Sequence, residues 1–323
     1  MGSTKSAEVS IDAFPFLRLY KDGTIERLAG TQVTPPGLDP QTGVVSKDVV
    51  VVPETGVSAR LYRPDTENLD RNQKLPLAVY FHGGGFFISS TADPVYHNGL
   101  NRLVAAARIA VVSVDYRLAP ENPLPAAYDD CWAALRWLAS DSAAAEPWLK
   151  DDVDLDRVFL LGDSAGASIA HHMVCRLSGS DSDPSHGLKI AGIGLIHPYF
   201  WGEDLVGLEA GDPVRRTMVD RWWKVVCPSE KGNDDPLINP FAEGAPSLEG
   251  LKACGKILVL VAGEDILRDR GKLYYEKVKE STWEGTIEIE ETQGEDHIFH
   301  LLKPESEKAE SLIKRLAAFV KQG

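Results

Sequence analysis

Val158-Phe-Leu-Leu-Gly162-Asp-Ser164-Ala-Gly166-Ala-Ser-Ile-Ala170 reads as a buried strand, a turn with glycine on either side of one serine, and the start of a helix. No other segment constrains the chain as much. A side chain at position 162 or 166 would clash in so sharp a turn, and the turn would leave the Ser164 hydroxyl exposed at the sheet edge, where it could attack a carbonyl. Five residues are a short pattern, so the reading depends on whether the rest of the sequence supplies partners.

The surrounding sequence supplies a matching scaffold. Short β-branched runs alternate with helical patterns, which predicts a mostly parallel sheet with helices on both faces. Eight strands are expected: Val49–Val52, Val57–Tyr62, Leu77–Phe81, Ile109–Val114, Val158–Leu161, Ile190–Ile196, Lys256–Ala262 and Thr286–Glu291. The first two read as an antiparallel pair and the later ones as parallel. Ala309, Leu312, Ile313, Leu316, Ala317 and Val320 recur at helical spacing, so the last helix packs on this sheet. A second helix is expected from Asp129 through Leu138. Two regions break the alternation. Residues 1–46 carry several prolines and glycines with little strand signal, and residues 199–250 form a long insertion with Trp201, Trp222, Trp223 and Phe241. Both are expected to form a cap over a single domain spanning residues 1–323.

Composition narrows the partners. Of the 323 residues, 43% are hydrophobic and 25% charged, values suited to one large core, and no apolar run approaches the length of a membrane span. A net charge of −14 repels nucleic acid and anionic membrane surfaces. Cys131, Cys175, Cys227 and Cys254 lack the spacing of a zinc site or redox pair and read as reduced structural thiols. No basic region followed by an apolar run opens the sequence, so a cytosolic address is expected. His97, His171, His172, His186 and His197 show no metal-ligand spacing, no phosphate- or dinucleotide-binding glycine loop is complete, and no cofactor is expected.

Acyl transfer needs a base for the serine, a group that orients the base, and donors for the developing oxyanion. The strand Leu77–Phe81 runs into His82-Gly83-Gly84-Gly85-Phe86-Phe87, where consecutive glycines let backbone N–H groups face a ligand. Gly83, Gly84 and Ala165 are the expected oxyanion donors. After Ala262, Asp265 and Asp269 compete as the orienting carboxylate; Asp265 lies nearer the strand, while Asp269 suits a helix cap. After Glu291, His297 is closer to the strand and to Gly294 than His300 is, which makes His297 the expected base. The order Ser164, Asp265, His297 is that of α/β-hydrolases.

Together, His82–Phe87, Asp115–Glu121 (DYRLAPE), Gly162–Gly166 (GDSAG), Asp265 within AGEDILRDRG and His297 within GEDHIFHLLKP resemble the hormone-sensitive-lipase-like group of α/β-hydrolases. Leu17–Arg27 resembles the start of its plant carboxylesterase clade, and the likeness spans nearly the whole chain. The resemblance implies a serine carboxylesterase acting on a small-molecule ester or specialised metabolite. It also implies alternatives: relatives include 2-hydroxyisoflavanone dehydratases, tuliposide-converting enzymes and gibberellin receptors, the last lacking the catalytic histidine that is intact here. In that family DYRLAPE would serve a structural task beneath the site. Phe86, Phe87, Trp222 and Trp223 are the candidate pocket residues, with one of the two adjacent tryptophans expected to reach it.

Overall fold

The computed structural model describes residues 8–65, 74–179 and 188–322, so the first seven residues of the expected cap and His186 lie outside the described residues. In chain order the strands are β1 (Val9–Ala13), β2 (Leu17–Tyr20), β3 (Ile25–Arg27), β4 (Leu38–Asp39), β5 (Val44–Val52), β6 (Val57–Pro64), β7 (Leu75–Phe81), β8 (Ala110–Asp115), β9 (Val153–Asp163), β10 (Ile190–Ile196), β11 (Lys256–Ala262) and β12 (Thr286–Thr292). The α-helices are α1 (Pro94–Ala107), α2 (Ala126–Leu138), α3 (Asp141–Ala144), α4 (Pro147–Asp152), α5 (Ala165–Leu177), α6 (Pro213–Val226), α7 (Arg268–Glu280), α8 (Phe299–Leu302) and α9 (Glu307–Lys321).

The main sheet has nine strands in the order β12-β11-β10-β9-β7-β8-β6-β5-β4. From β8 to β12 every pairing is parallel, whereas β6, β5 and β4 join antiparallel at one end. Eight of the nine are the expected strands; the ninth is a two-residue pairing at Leu38–Asp39. Strand alternation decides what each face buries. Leu77, Val79, Phe81, Ile257, Val259 and Val261 enter one core with α2, α5 and α7, and Ala78, Tyr80, Leu258 and Leu260 enter the other with α1 and α9. The last helix therefore packs as its spacing requires. Helix α2 begins at Ala126, three residues before the expected Asp129.

The amino-terminal cap differs from expectation. Strands β1 to β3 form a separate antiparallel sheet, and β1 rests on α6. The chain joins the main sheet at Leu38 in β4, so the segment outside that sheet is shorter than residues 1–46. These three strands are short and half-exposed, so they lack the apolar runs that reveal buried strands. The 199–250 insertion contains α6 and two 3-10 turns, and a third, Leu248–Ala253, begins inside it and ends beyond it. It is fastened by Glu209, whose side chain is fully buried and ion-paired to both Arg216 and Arg270. Trp201 lies beneath the two guanidinium groups. All four cysteines are free and buried.

Candidate active site

Parallel strands end on one edge of the sheet, and loops leaving that edge collect side chains from distant parts of the sequence. Ser164 follows β9, Asp265 follows β11, His297 follows β12, and the glycine loop follows β7. Ser164 sits at φ 51°, ψ −119°, the strained corner between strand and helix. The flanking glycines are required by contact: a Cβ on Gly162 would lie 2.4 Å from the Gly166 carbonyl, and one on Gly166 would lie 1.8 Å from Phe81 O.

Ser164 Oγ lies 2.9 Å from His297 Nε2, and His297 Nδ1 lies 2.7 Å from Asp265 Oδ2. A carboxylate only accepts, so Nδ1 carries the proton and Nε2 is left to accept from the hydroxyl. The other Asp265 oxygen accepts the Leu267 N–H at 2.9 Å, which fixes the carboxylate plane. Asp269 is turned elsewhere: it accepts from Leu208 N and pairs with Arg268, and it does not cap its own helix. Burial would lower the His297 imidazole, but Asp265, with Asp163 and Asp296 behind it, outweighs burial and holds it above its ordinary value. Burial pushes His300 down to about 3 and keeps it neutral beneath the site.

The glycine loop corrects the expected donor set. Gly83 N–H donates to Asp163 Oδ1 at 3.1 Å and is thereby used. Gly84 and Gly85, at φ 92° and 60°, carry N–H groups with no acceptor among the described residues, as does Ala165 at the first turn of α5. The amides left free to receive an oxyanion among the described residues are thus those of Gly84, Gly85 and Ala165. Which glycine amide a neighbour had taken was invisible in the sequence. Asp163, to which the sequence pattern gave no role, is fully buried and also accepts from Tyr80 (2.8 Å) and Tyr96 (3.0 Å). Burial raises its carboxyl to about 6 against the lowering effect of these donors and His297.

The segment Asp115–Glu121 braces this loop. Tyr116 donates to His82 O at 2.7 Å, Ala119 N–H to Phe86 O at 2.9 Å, and Asp115 accepts from Thr91 N. Arg27 of β3 donates to Phe87 O and Ala119 O and forks onto Glu121, tying the cap sheet to the same loop.

The four expected pocket residues separate. On α6, Val214, Met218, Arg221 and Trp222 share one stripe and line a groove of about 490 Å³ against Asp12 and Phe14 of the cap sheet. Trp222 packs edge-on against Phe16 and Phe87, and its indole N–H is buried without a partner among the described residues. Phe87 packs on Trp222 in the core and does not itself line the groove. Trp223 lies on the opposite stripe, donates to Gly232 O, and packs with Phe86 in the core, so neither Trp223 nor Phe86 lines the groove. Of the two adjacent histidines on α5, His171 is fully buried against Tyr274, whereas His172 is half-buried.

Donor atoms of His197, Asp265 and His297 lie within 4.8 Å of one another, a grouping of a size that can hold a metal ion. These atoms are engaged in hydrogen bonds: His297 Nδ1 donates to Asp265, His297 Nε2 accepts from Ser164, and His197 Nδ1 accepts the Ile298 N–H. The arrangement suits proton transfer.

A mostly parallel α/β sheet carrying serine, aspartate and histidine on the edge loops after β9, β11 and β12 defines the class of nucleophile-elbow hydrolase folds. The alpha/beta hydrolase fold family model matches residues 78–301, and the chain belongs to that family, within its plant carboxylesterase clade. It is 53% identical over 322 residues to probable carboxylesterase 2 of Arabidopsis thaliana, covering 100% of this chain and 99% of that one. It is 44% identical over 326 residues to 2-hydroxyisoflavanone dehydratase of Glycyrrhiza echinata, covering 98% of each. Among solved structures, the hyperthermophilic esterase of Pyrobaculum calidifontis aligns with a TM-score of 0.70 at 27% identity, covering 86% of this chain and 85% of that one.

Proposed function

We propose that the protein is a serine carboxylesterase hydrolysing small carboxylic esters. The observation that carries this reading is the continuous hydrogen-bond path from Ser164 through His297 to Asp265. His297 Nε2 takes the hydroxyl proton as Ser164 attacks the ester carbonyl, and Asp265 stabilises the imidazolium that forms. The N–H groups of Gly84, Gly85 and Ala165 receive the oxyanion, each such donor being worth about a hundred- to a thousandfold in rate. The imidazolium then protonates the leaving alcohol, and water, activated by the same histidine, hydrolyses the acyl-enzyme. The α6 groove is assigned to the substrate's remote apolar arm, with Trp222 as its wall. Replacing Ser164 with Ala should abolish turnover of a short p-nitrophenyl ester; unchanged turnover sinks the reading.

The dehydratase relative supports a second reading, in which His297 acts as base in a β-elimination and the same N–H groups hold an enolate. Acyl-enzyme accumulation during turnover supports hydrolysis, whereas dehydrated product from a hydroxylated flavonoid without any adduct supports elimination.

A further inference from the structure

His197 is the first residue beyond β10 and leaves the sheet at φ 46° before Pro198. Its N–H donates to Leu260 O at 2.8 Å, which ties it to β11. Its ring is buried, with centroids 5.8 Å from His297 and 5.5 Å from both Phe299 and His300. Nδ1 accepts the Ile298 N–H at 2.9 Å. With that lone pair used, the ring proton belongs on Nε2, which is buried with no partner among the described residues. Burial, with His300 and His297 close by, holds the ring neutral by keeping its pKa well below the ordinary value.

An imidazole with one nitrogen left unsatisfied is a costly way to fill core space, since an aliphatic side chain of similar size carries no such penalty. What His197 supplies is the Nδ1 acceptor, and the group it accepts from is placed to matter. The Ile298 N–H belongs to the peptide plane directly after His297, so fixing that plane fixes the ψ angle of His297. Ile298 itself stands at φ 46°, a left-handed conformation that β-branched residues rarely hold. On the other side of His297, its own N–H is held by Asp296 Oδ1 at 2.7 Å. Both peptide planes flanking His297 are therefore gripped, the leading one at the exposed surface and the trailing one by the buried His197 ring.

We propose that His197 is a positioning residue whose Nδ1 locks the left-handed turn at Ile298 and so aims the His297 ring between Asp265 and Ser164. The inference rests on the proposed triad. It distinguishes His197 from the other buried histidines, whose rings make no hydrogen bond to the peptide planes flanking His297: His300 Nδ1 has no partner among the described residues, His171 bonds Tyr274, His82 Nδ1 meets Gly83 O, and His97 sits with Arg60, Tyr62 and Asn101.

The test compares His197→Asn with His197→Leu on a neutral p-nitrophenyl ester, with thermal melts of each variant. Asn offers a carbonyl oxygen at the Nδ1 position and tolerates left-handed backbone, whereas Leu fills the space without an acceptor. His197→Leu should lose about a hundredfold in kcat with KM unchanged, the size expected of a misaimed catalytic group, and His197→Asn should recover most of it. Wild-type kcat in His197→Leu, or equal losses in both variants, overturns the proposal. Should His197→Leu fail to fold, His197→Gln replaces it: its oxygen reaches the Nε2 position, so Gln should stay impaired where Asn is active, and equal activity of the two overturns the proposal. Ser164→Ala is run alongside. Activity surviving there refutes the triad itself, whereas an inactive Ser164→Ala with an unimpaired His197→Leu refutes the positioning role alone.

Discussion

Asp163 Oδ1 accepts the Gly83 N–H at 3.1 Å, so the residue preceding the elbow serine holds the loop that carries the proposed oxyanion donors. Elbow and glycine loop are thereby one rigid unit, although 80 residues separate them in the chain. A Cβ on Gly83 would stand 2.3 Å from the same carboxylate, which is why the first glycine of the loop is needed even though its N–H is not free.

Asp163→Ala should therefore damage both stability and rate. It strands three buried donors, from Tyr80, Tyr96 and Gly83, each costing about 1–3 kcal/mol when unsatisfied. Asp163→Asn keeps an accepting oxygen for Gly83 and Tyr80 and should lose less of both. Denaturant melts and kcat on a neutral ester measure the two effects separately.

Activity requires neutral His297, and Asp265 holds the imidazole above its ordinary value. The acid limb of kcat/KM should accordingly have its midpoint above about pH 6.5, with activity rising as pH rises through it. Asp265→Asn removes the charge that favours the imidazolium, so the residual activity should show that limb shifted toward lower pH. A pH–rate profile of the two proteins decides the sign.

Glu209 is buried between Arg216 and Arg270, and removing it leaves the buried Arg270 guanidinium without a carboxylate and Arg216 with Asp220 alone. Glu209→Ala should cost about 3–5 kcal/mol in urea unfolding, the range for breaking a buried ion pair by deleting one partner. The Ser164, His297 and Asp265 loops lie outside this network, so activity below the melting transition should be largely retained.

The adjacent tryptophans should behave differently. Trp223→Ala opens a hole in the core beside Phe86 and should destabilise by about 3–5 kcal/mol. Trp222→Ala removes one wall of the groove and should instead raise KM for esters with a bulky apolar arm, with a smaller change in melting temperature. A panel of esters of increasing acyl length shows the contrast.

Much of this architecture is legible in residue order. β7, β11 and the Val158–Leu161 half of β9 are apolar runs buried on both faces, and each strand ends in a loop whose chemistry is announced by glycine, serine or aspartate. Ser164, Asp265 and His297 could be chosen because distance from a strand end is itself a geometric quantity. The illegible parts depend on what a backbone group meets in space. Gly83 and Gly85 look alike in sequence, and only the Asp163 carboxylate separates them. His197 is a lone histidine before a proline, with no spacing to link it to Ile298, 101 positions later. Strands β1 to β3 carry mixed, half-exposed residues whose pairing comes from one another and from the support of α6.

Ser164 is the residue on which the acyl-enzyme should form. Rapid-quench mass spectrometry during p-nitrophenyl acetate turnover should find one acetyl group per chain, mapped to the peptide containing Ser164 and lost in Ser164→Ala together with turnover. Steady hydrolysis with Ser164 unmodified throughout, or undiminished in Ser164→Ala, would contradict that assignment.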